Sequence, residues 1–137
     1  MLLKFSVCLR YFNFQKPWKL TVMDKFSQRL ETMYLWIMSI LEIHKDRINA
    51  LCQKHKVSKL FVFGSVLTND FKESSDVDFL VDFGNIELYD YADNYFQLKS
   101  SLENLLQKPI DLLEDIALKN PYLRKSIDAS KELIYGS

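Results

Sequence analysis

The chain has 137 residues, 48% of them hydrophobic and 14% aromatic, which fits one folded domain and excludes a disordered chain. Lys plus Arg and Asp plus Glu number 18 each, so the formal net charge is zero and the basic excess of a dedicated nucleic-acid binder is missing. That argues against nucleic acid as a direct partner. No run of about 20 apolar residues offers a membrane span. Cys8 and Cys52 have neither a disulfide-framework nor a zinc spacing. The opening MLLKFSVCLRYF resembles a signal peptide only faintly: Lys4 and Arg10 break its apolar run and no small-residue cleavage site follows. The reading is a soluble cytoplasmic protein with reduced thiols, with no membrane partner.

In chain order, residues 1–33 carry scattered aromatics (Phe5, Tyr11, Phe12, Phe14, Trp18) without a sustained period. They are expected to be an N-terminal appendage or an over-extended reading frame, with the functional domain spanning 34–137. From 34 to 55, Ile37, Leu41, Ile48 and Leu51 fall at helical spacings with charges mostly between them, which predicts an amphipathic helix. KLFVF (59–63) is a short apolar run ending at Gly64, the pattern of a strand buried on both faces. A short helix or turn follows over 66–72, and SSDVDFLVDF (74–83) predicts a second strand.

The clearest helix is 88–107, where Leu88, Tyr91, Tyr95, Leu98, Leu102 and Leu105 form one stripe. Pro109 stops it, and IDLLE (110–114) predicts a third strand. Asn120 reads as the cap and Pro121 as the first position of a helix over 121–132, and LIYG closes the chain as a short edge strand. Strands and helices alternate with too few long crossovers for a doubly wound sheet. The expected fold class is α+β in two layers, a small mixed β-sheet packed on helices.

Asp76 and Asp78 interrupt an apolar strand. Side chains two apart share a face, so the two carboxylates project together, with Val77, Phe79 and Val81 opposite. Two acids this close repel, and one would be held protonated unless a cation intervened. A divalent metal resolves the conflict, and Mg²⁺ is commonly held by one or two carboxylates plus substrate phosphates. Gly64 and Ser65 offer the complementary half: glycine after a buried strand lets backbone N–H groups approach a ligand, and a following helix start would favour phosphate. Asp111 alternates with Ile110 and Leu112, so it faces the same cleft if its strand neighbours that of Asp78.

Gly64-Ser65, ten intervening residues, then Asp76-Val77-Asp78 match the G-S-x10-D-x-D signature of the DNA polymerase β-like nucleotidyltransferases. The setting FVFGS…SSDVDFLVDF…PIDLLE is most similar to the minimal nucleotidyltransferases often paired with a HEPN-domain partner, over about residues 38–136. The resemblance implies the polymerase β-like fold and a Mg²⁺-dependent transfer of a nucleoside monophosphate from ATP or another NTP to a hydroxyl, with pyrophosphate leaving. By position it makes Asp76 and Asp78 ligands of two Mg²⁺ ions, Asp111 the third catalytic carboxylate, and Gly64 and Ser65 the nucleotide-binding pair. It implies an acceptor on a HEPN-type toxin and an antitoxin role.

The alternatives are a catalytically weak antitoxin that occludes its partner, and a small-molecule nucleotidyltransferase, a type that usually carries a further substrate domain. One departure stands out: relatives often continue Gly-Ser into an Arg-containing stretch, whereas this chain reads GSVLTNDFK, with Lys72 the first cation. Asp82 is expected in a solvated or structural role. His44 and His55 are expected at the surface and not as ligands, Tyr91 and Tyr95 in the core and not as a base-stacking platform, and Arg124 and Lys125 as solvated charges.

Overall fold

In the computed structural model the described residues are 24–68 and 70–137, with side chains described from residue 33 onward. Two helices lead, α1 (Asp24–Ile43) and α2 (Lys45–Lys54). The rest follows as β1 (Val57–Phe63), a 3₁₀ turn (Gly64–Leu67), β2 (Val77–Phe83), α3 (Leu88–Leu106), β3 (Ile110–Glu114), a second 3₁₀ turn (Asp115–Ala117), α4 (Pro121–Ser130) and β4 (Glu132–Tyr135).

The single helix expected over 34–55 is two, broken at His44. The apolar stripe explains the break. It runs Ile37, Leu41, then Ile48, Cys52, and the step between falls on polar His44 and Lys45, so nothing at that turn is drawn into the core. Helix α1 begins at Asp24 and passes through residue 34. Cys8 and the aromatics of the expected appendage lie outside the described residues. Helix α3 ends with Gln107 in the left-handed region (φ 53°), and Pro109 two residues on prevents its continuation. Asn120 caps α4 as its sequence indicates, its Oδ1 accepting from the amides of Tyr122 (2.9 Å) and Leu123 (3.3 Å), with Pro121 at the first position. No helix among the described residues is long and apolar enough to cross a membrane.

The sheet order is β3-β2-β1-β4. β1 pairs antiparallel with both β2 and β4, while β2 and β3 are parallel and joined through α3. It is a mixed sheet packed on helices, and β4 is its short edge strand, as expected. Leu60, Val62, Val77, Phe79, Val81, Ile110 and Leu112 point to one face and pack on Ile37, Leu41, Ile48, Cys52, Leu98, Leu102 and Leu106 from α1, α2 and α3. Complete burial of a side chain such as Phe79 or Leu60 is worth about 1.5–3 kcal/mol. The opposite face carries Leu80 under Leu118 and Ile127, with Phe61, Phe63 and Leu113 beside them. α4 therefore covers part of this second face, and Asp78 and Asp111 lie on it in alternation with those residues.

Candidate active site

The register sets the geometry. In the parallel pair Asp78 stands directly opposite Asp111, and in the antiparallel pair it stands opposite Phe63, the last residue of β1. Gly64 therefore turns away from β1 beside Asp78. Its φ is +79°, a region in which glycine carries no side-chain penalty. A Cβ there would collide with Oδ2 of Asp78 and lie 3.2 Å from its Cγ. The Gly-Ser turn and the acidic strand are thus in van der Waals contact, and only a residue without a side chain allows it.

β2 begins at Val77, three residues later than expected, so Asp76 is an exposed loop residue immediately ahead of the strand. Val77, Phe79 and Val81 do occupy the face opposite Asp78. Burial raises the pKa of Asp78 above the ordinary carboxylate value, and the charges of Asp111 and then Asp76 push it the same way. Asp111 and Asp76 each lie near enough to Asp78 for their charges to act on it, at the end of the sheet where Gly64 lies. None of the ion pairs among the described residues involves them. Carboxylate oxygens that repel one another without a compensating cation fit a hard divalent ion. No three His, Cys, Asp or Glu side chains among the described residues close into a ready cage. Mg²⁺ does not require one, because it completes its shell with water and substrate phosphates.

The short helix or turn expected over 66–72 is a single 3₁₀ turn that starts at Gly64 and ends at Leu67. The Ser65 carbonyl accepts from the Thr68 amide (2.9 Å) and from Thr68 Oγ1 (3.0 Å), so the turn closes on itself and its first amides are what it offers an anion. Val66 is fully buried in the core and Leu67 is half-buried against it, which leaves no space for a guanidinium at position 66. The loop then buries Phe71 and folds at Lys72, whose amide donates to Ser75 Oγ (3.0 Å) while the Ser75 amide donates back to its carbonyl (2.9 Å). Lys72 itself is exposed.

Asp82 shares the face of Asp78 but pairs with Lys59, two side-chain steps along β2 from Asp78. Tyr91 and Tyr95 tie α3 to β3: Tyr91 donates to Glu114 Oε2 and Tyr95 to the Leu112 carbonyl (2.5 Å). Burial first, and then Glu114, push the Tyr91 phenol up to about 12 and raise that of Tyr95. His55 is corrected: it is buried, 3% exposed, with Nδ1 bonded to Asn94 Oδ1 (3.0 Å), because α2 ends against α3 there. Arg124 is likewise no free cation; its guanidinium donates to the side chain and carbonyl of Asp115 and to the Leu118 carbonyl, which fastens the second 3₁₀ turn to α4. A groove of about 580 Å³ between α2 and α3, edged by Arg47, Lys54 and Asn104, includes none of the three acids.

Fold and carboxylates together define the class: a nucleotidyltransferase, an enzyme that moves a nucleoside monophosphate. The family model described as polymerase beta, nucleotidyltransferase matches residues 46–137, and the chain belongs to that family. It is 41% identical over 99 residues to a provisionally named protein adenylyltransferase of Methanocaldococcus jannaschii, covering 72% of this chain and 93% of that one. A solved structure, provisionally named a minimal nucleotidyltransferase, matches with a TM-score of 0.57 at 29% identity, over 67% of this chain and 90% of that chain. A complex of tri-AMPylated Shewanella oneidensis HEPN toxin with its MNT antitoxin shares the fold, with a TM-score of 0.50 at 17% identity, over 71% of this chain and 73% of that chain.

Proposed function

We propose that this chain is a Mg²⁺-dependent adenylyltransferase that moves AMP from ATP to a hydroxyl on a HEPN-type toxin and so acts as its antitoxin. The observation that carries the reading is the contact of Gly64 with the Asp78 carboxylate, which itself faces Asp111 across the parallel strands. A turn able to receive phosphates and a set of uncompensated acids then meet at one point. The protein acceptor is supported by the adenylyltransferase relative, and the HEPN partner by the motif and by the toxin complex that shares the fold.

The Gly64 backbone and the Ser65 hydroxyl bind the triphosphate. Asp76 and Asp78 would hold two Mg²⁺ ions, with Asp111 joining them at the catalytic ion of the pair; bound there, the ions would neutralise phosphate charge and make the acceptor hydroxyl more acidic. The acceptor oxygen bonds to the α-phosphorus in line with the bond to the bridging oxygen of the β-phosphate. That bond breaks, pyrophosphate leaves with its electron pair, and Asp111 takes the acceptor's proton.

Incubating the chain, a HEPN-domain toxin co-purified with it, Mg²⁺ and ATP labelled at the α-phosphate tests this. Label should appear on the toxin and vanish with Asp76→Ala/Asp78→Ala. No label from the unmodified chain, or undiminished label from the double variant, defeats it. Nucleotide binding without transfer, together with tight toxin binding, would instead assign the occluding antitoxin, a reading that the lack of arginine in GSVLTNDFK favours.

A further inference from the structure

Lys108 is a lysine where a lysine is costly. It is 9% exposed, and no carboxylate among the described residues pairs with it. Its ammonium donates to the Glu73 carbonyl (2.6 Å) and lies 5.2 Å from the centre of the Trp36 ring and 5.4 Å from that of Phe71. A lysine so largely enclosed, its ammonium directed to one carbonyl and two aromatic rings and not to a carboxylate, is uncommon, and an apolar side chain of similar length would fill the same space. Stability alone therefore does not account for it. Its position does. Glu73 and Phe71 belong to the loop that joins the Gly-Ser turn to the acidic strand. The next residue, Pro109, accepts the Val77 amide at its carbonyl (3.0 Å). Lys108 and Pro109 thus grip the chain on both sides of Asp76, and Asp111 lies two residues beyond Pro109 on the strand that follows.

We propose that Lys108 is a positioning residue: by anchoring the segment 71–76 to the residues that lead into β3, it fixes the spacing of Asp76 and Asp78 against Asp111 and so tunes the carboxylates for a divalent cation. This rests on the nucleotidyl-transfer reading above. Three variants of the full chain test it, Lys108→Met, Lys108→Arg and Trp36→Leu. Each is measured for its Mg²⁺ activation midpoint in label transfer, for direct Mn²⁺ binding without nucleotide, and for hydrogen exchange over residues 70–77. Supporting tissue around metal ligands typically contributes about 10- to 100-fold in metal affinity. Lys108→Met should therefore bind Mn²⁺ about 10-fold more weakly, exchange faster over 70–77, and regain much of its rate when Mg²⁺ is raised.

Lys108→Arg, which keeps the charge and the donors but enlarges the head group, should weaken Mn²⁺ binding less than the methionine variant, and Trp36→Leu should shift in the same direction as the methionine variant by less. A folded Lys108→Met with unchanged Mn²⁺ affinity overturns the proposal, as does a loss of rate that only follows the folded fraction at every Mg²⁺ concentration. Should the methionine variant not fold, an unshifted Trp36→Leu overturns it. Absence of label transfer by the unmodified chain would defeat the enzymatic reading, while the Mn²⁺ and exchange measurements would still decide the role of Lys108.

Discussion

At Gly64 two requirements meet in one residue. The backbone turns at φ +79°, and the Cα hydrogen that points at Asp78 occupies space a methyl would need. Alanine there incurs the left-handed penalty of about 1–2 kcal/mol and must also displace the Asp78 carboxylate. Gly64→Ala should therefore lose stability by about that amount in urea unfolding. It should also lose far more activity than the fold loses stability, about 100-fold in label transfer, because small misplacements of reacting groups are costly. Activity within a few-fold of the unmodified chain would show that the contact with Asp78 is incidental. The candidate site residues could be read from spacing alone: Gly-Ser after an apolar run, Asp-x-Asp on a strand, Asp after a proline. What spacing does not hold is the contact itself. That Gly64 sits against Asp78, and that Val66 points into the core, follow from the β1–β2 register, which is a pairing between distant segments. Lys108 was illegible for the same reason, since its partners Trp36, Phe71 and Glu73 are remote in the chain.

The elements were legible where local chemistry decides and obscure where neighbours do. The Asn120-Pro121 start of α4, the stop of α3 near Pro109 and the strand at Ile110–Glu114 all follow from short-range signals, and the structure has them. The start of β2 moved from residue 74 to Val77 because pairing, not pattern, begins a strand: Val77 is where its ladder with Ile110 and the bond to Pro109 begin. The position of His55, at the end of a helix in a polar stretch, points to the surface. Its burial comes from α3, whose Asn94 bonds it twice: Oδ1 takes the Nδ1 proton, and Nδ2 donates to the His55 carbonyl at 2.7 Å. Nε2 of the same ring is buried and has no hydrogen-bond partner among the described residues. Asn94→Ala would strand a ring N–H and a carbonyl at the end of α2. The expected cost is about 1–3 kcal/mol, measured by urea unfolding, against less than about 0.5 kcal/mol for Gln97→Ala on the exposed side of α3. Equal effects of the two substitutions would mean that Asn94 does not join these helices.

Across the whole molecule, the acids trade stability for a site. The folded-state pKa of Asp78 lies above its ordinary 3.8, through burial and then through Asp111 and Asp76. Below 3.8 the carboxyl is protonated whether the chain is folded or not. As pH climbs through the raised value, the folded chain gives up a proton it had held more tightly than the unfolded chain, and stability falls. Without metal, the protein should therefore be less stable at neutral pH than at the acidic end of that window, so far as Asp78 contributes. Asp78→Asn removes the charge and keeps the shape, so it should melt a few degrees higher than the unmodified chain in metal-free buffer near neutral pH. Adding Mg²⁺ and an ATP analogue with a methylene bridge between the α- and β-phosphates should reverse the order. A ligand at about 100 times its Kd stabilises by about 2.7 kcal/mol, and only the chain with its carboxylate intact should gain this. Thermal melts of both proteins with and without the analogue decide the matter. Curves that do not cross, through equal stabilisation or through an asparagine variant that melts lower from the start, would remove Asp78 from the role of a charge awaiting its cation.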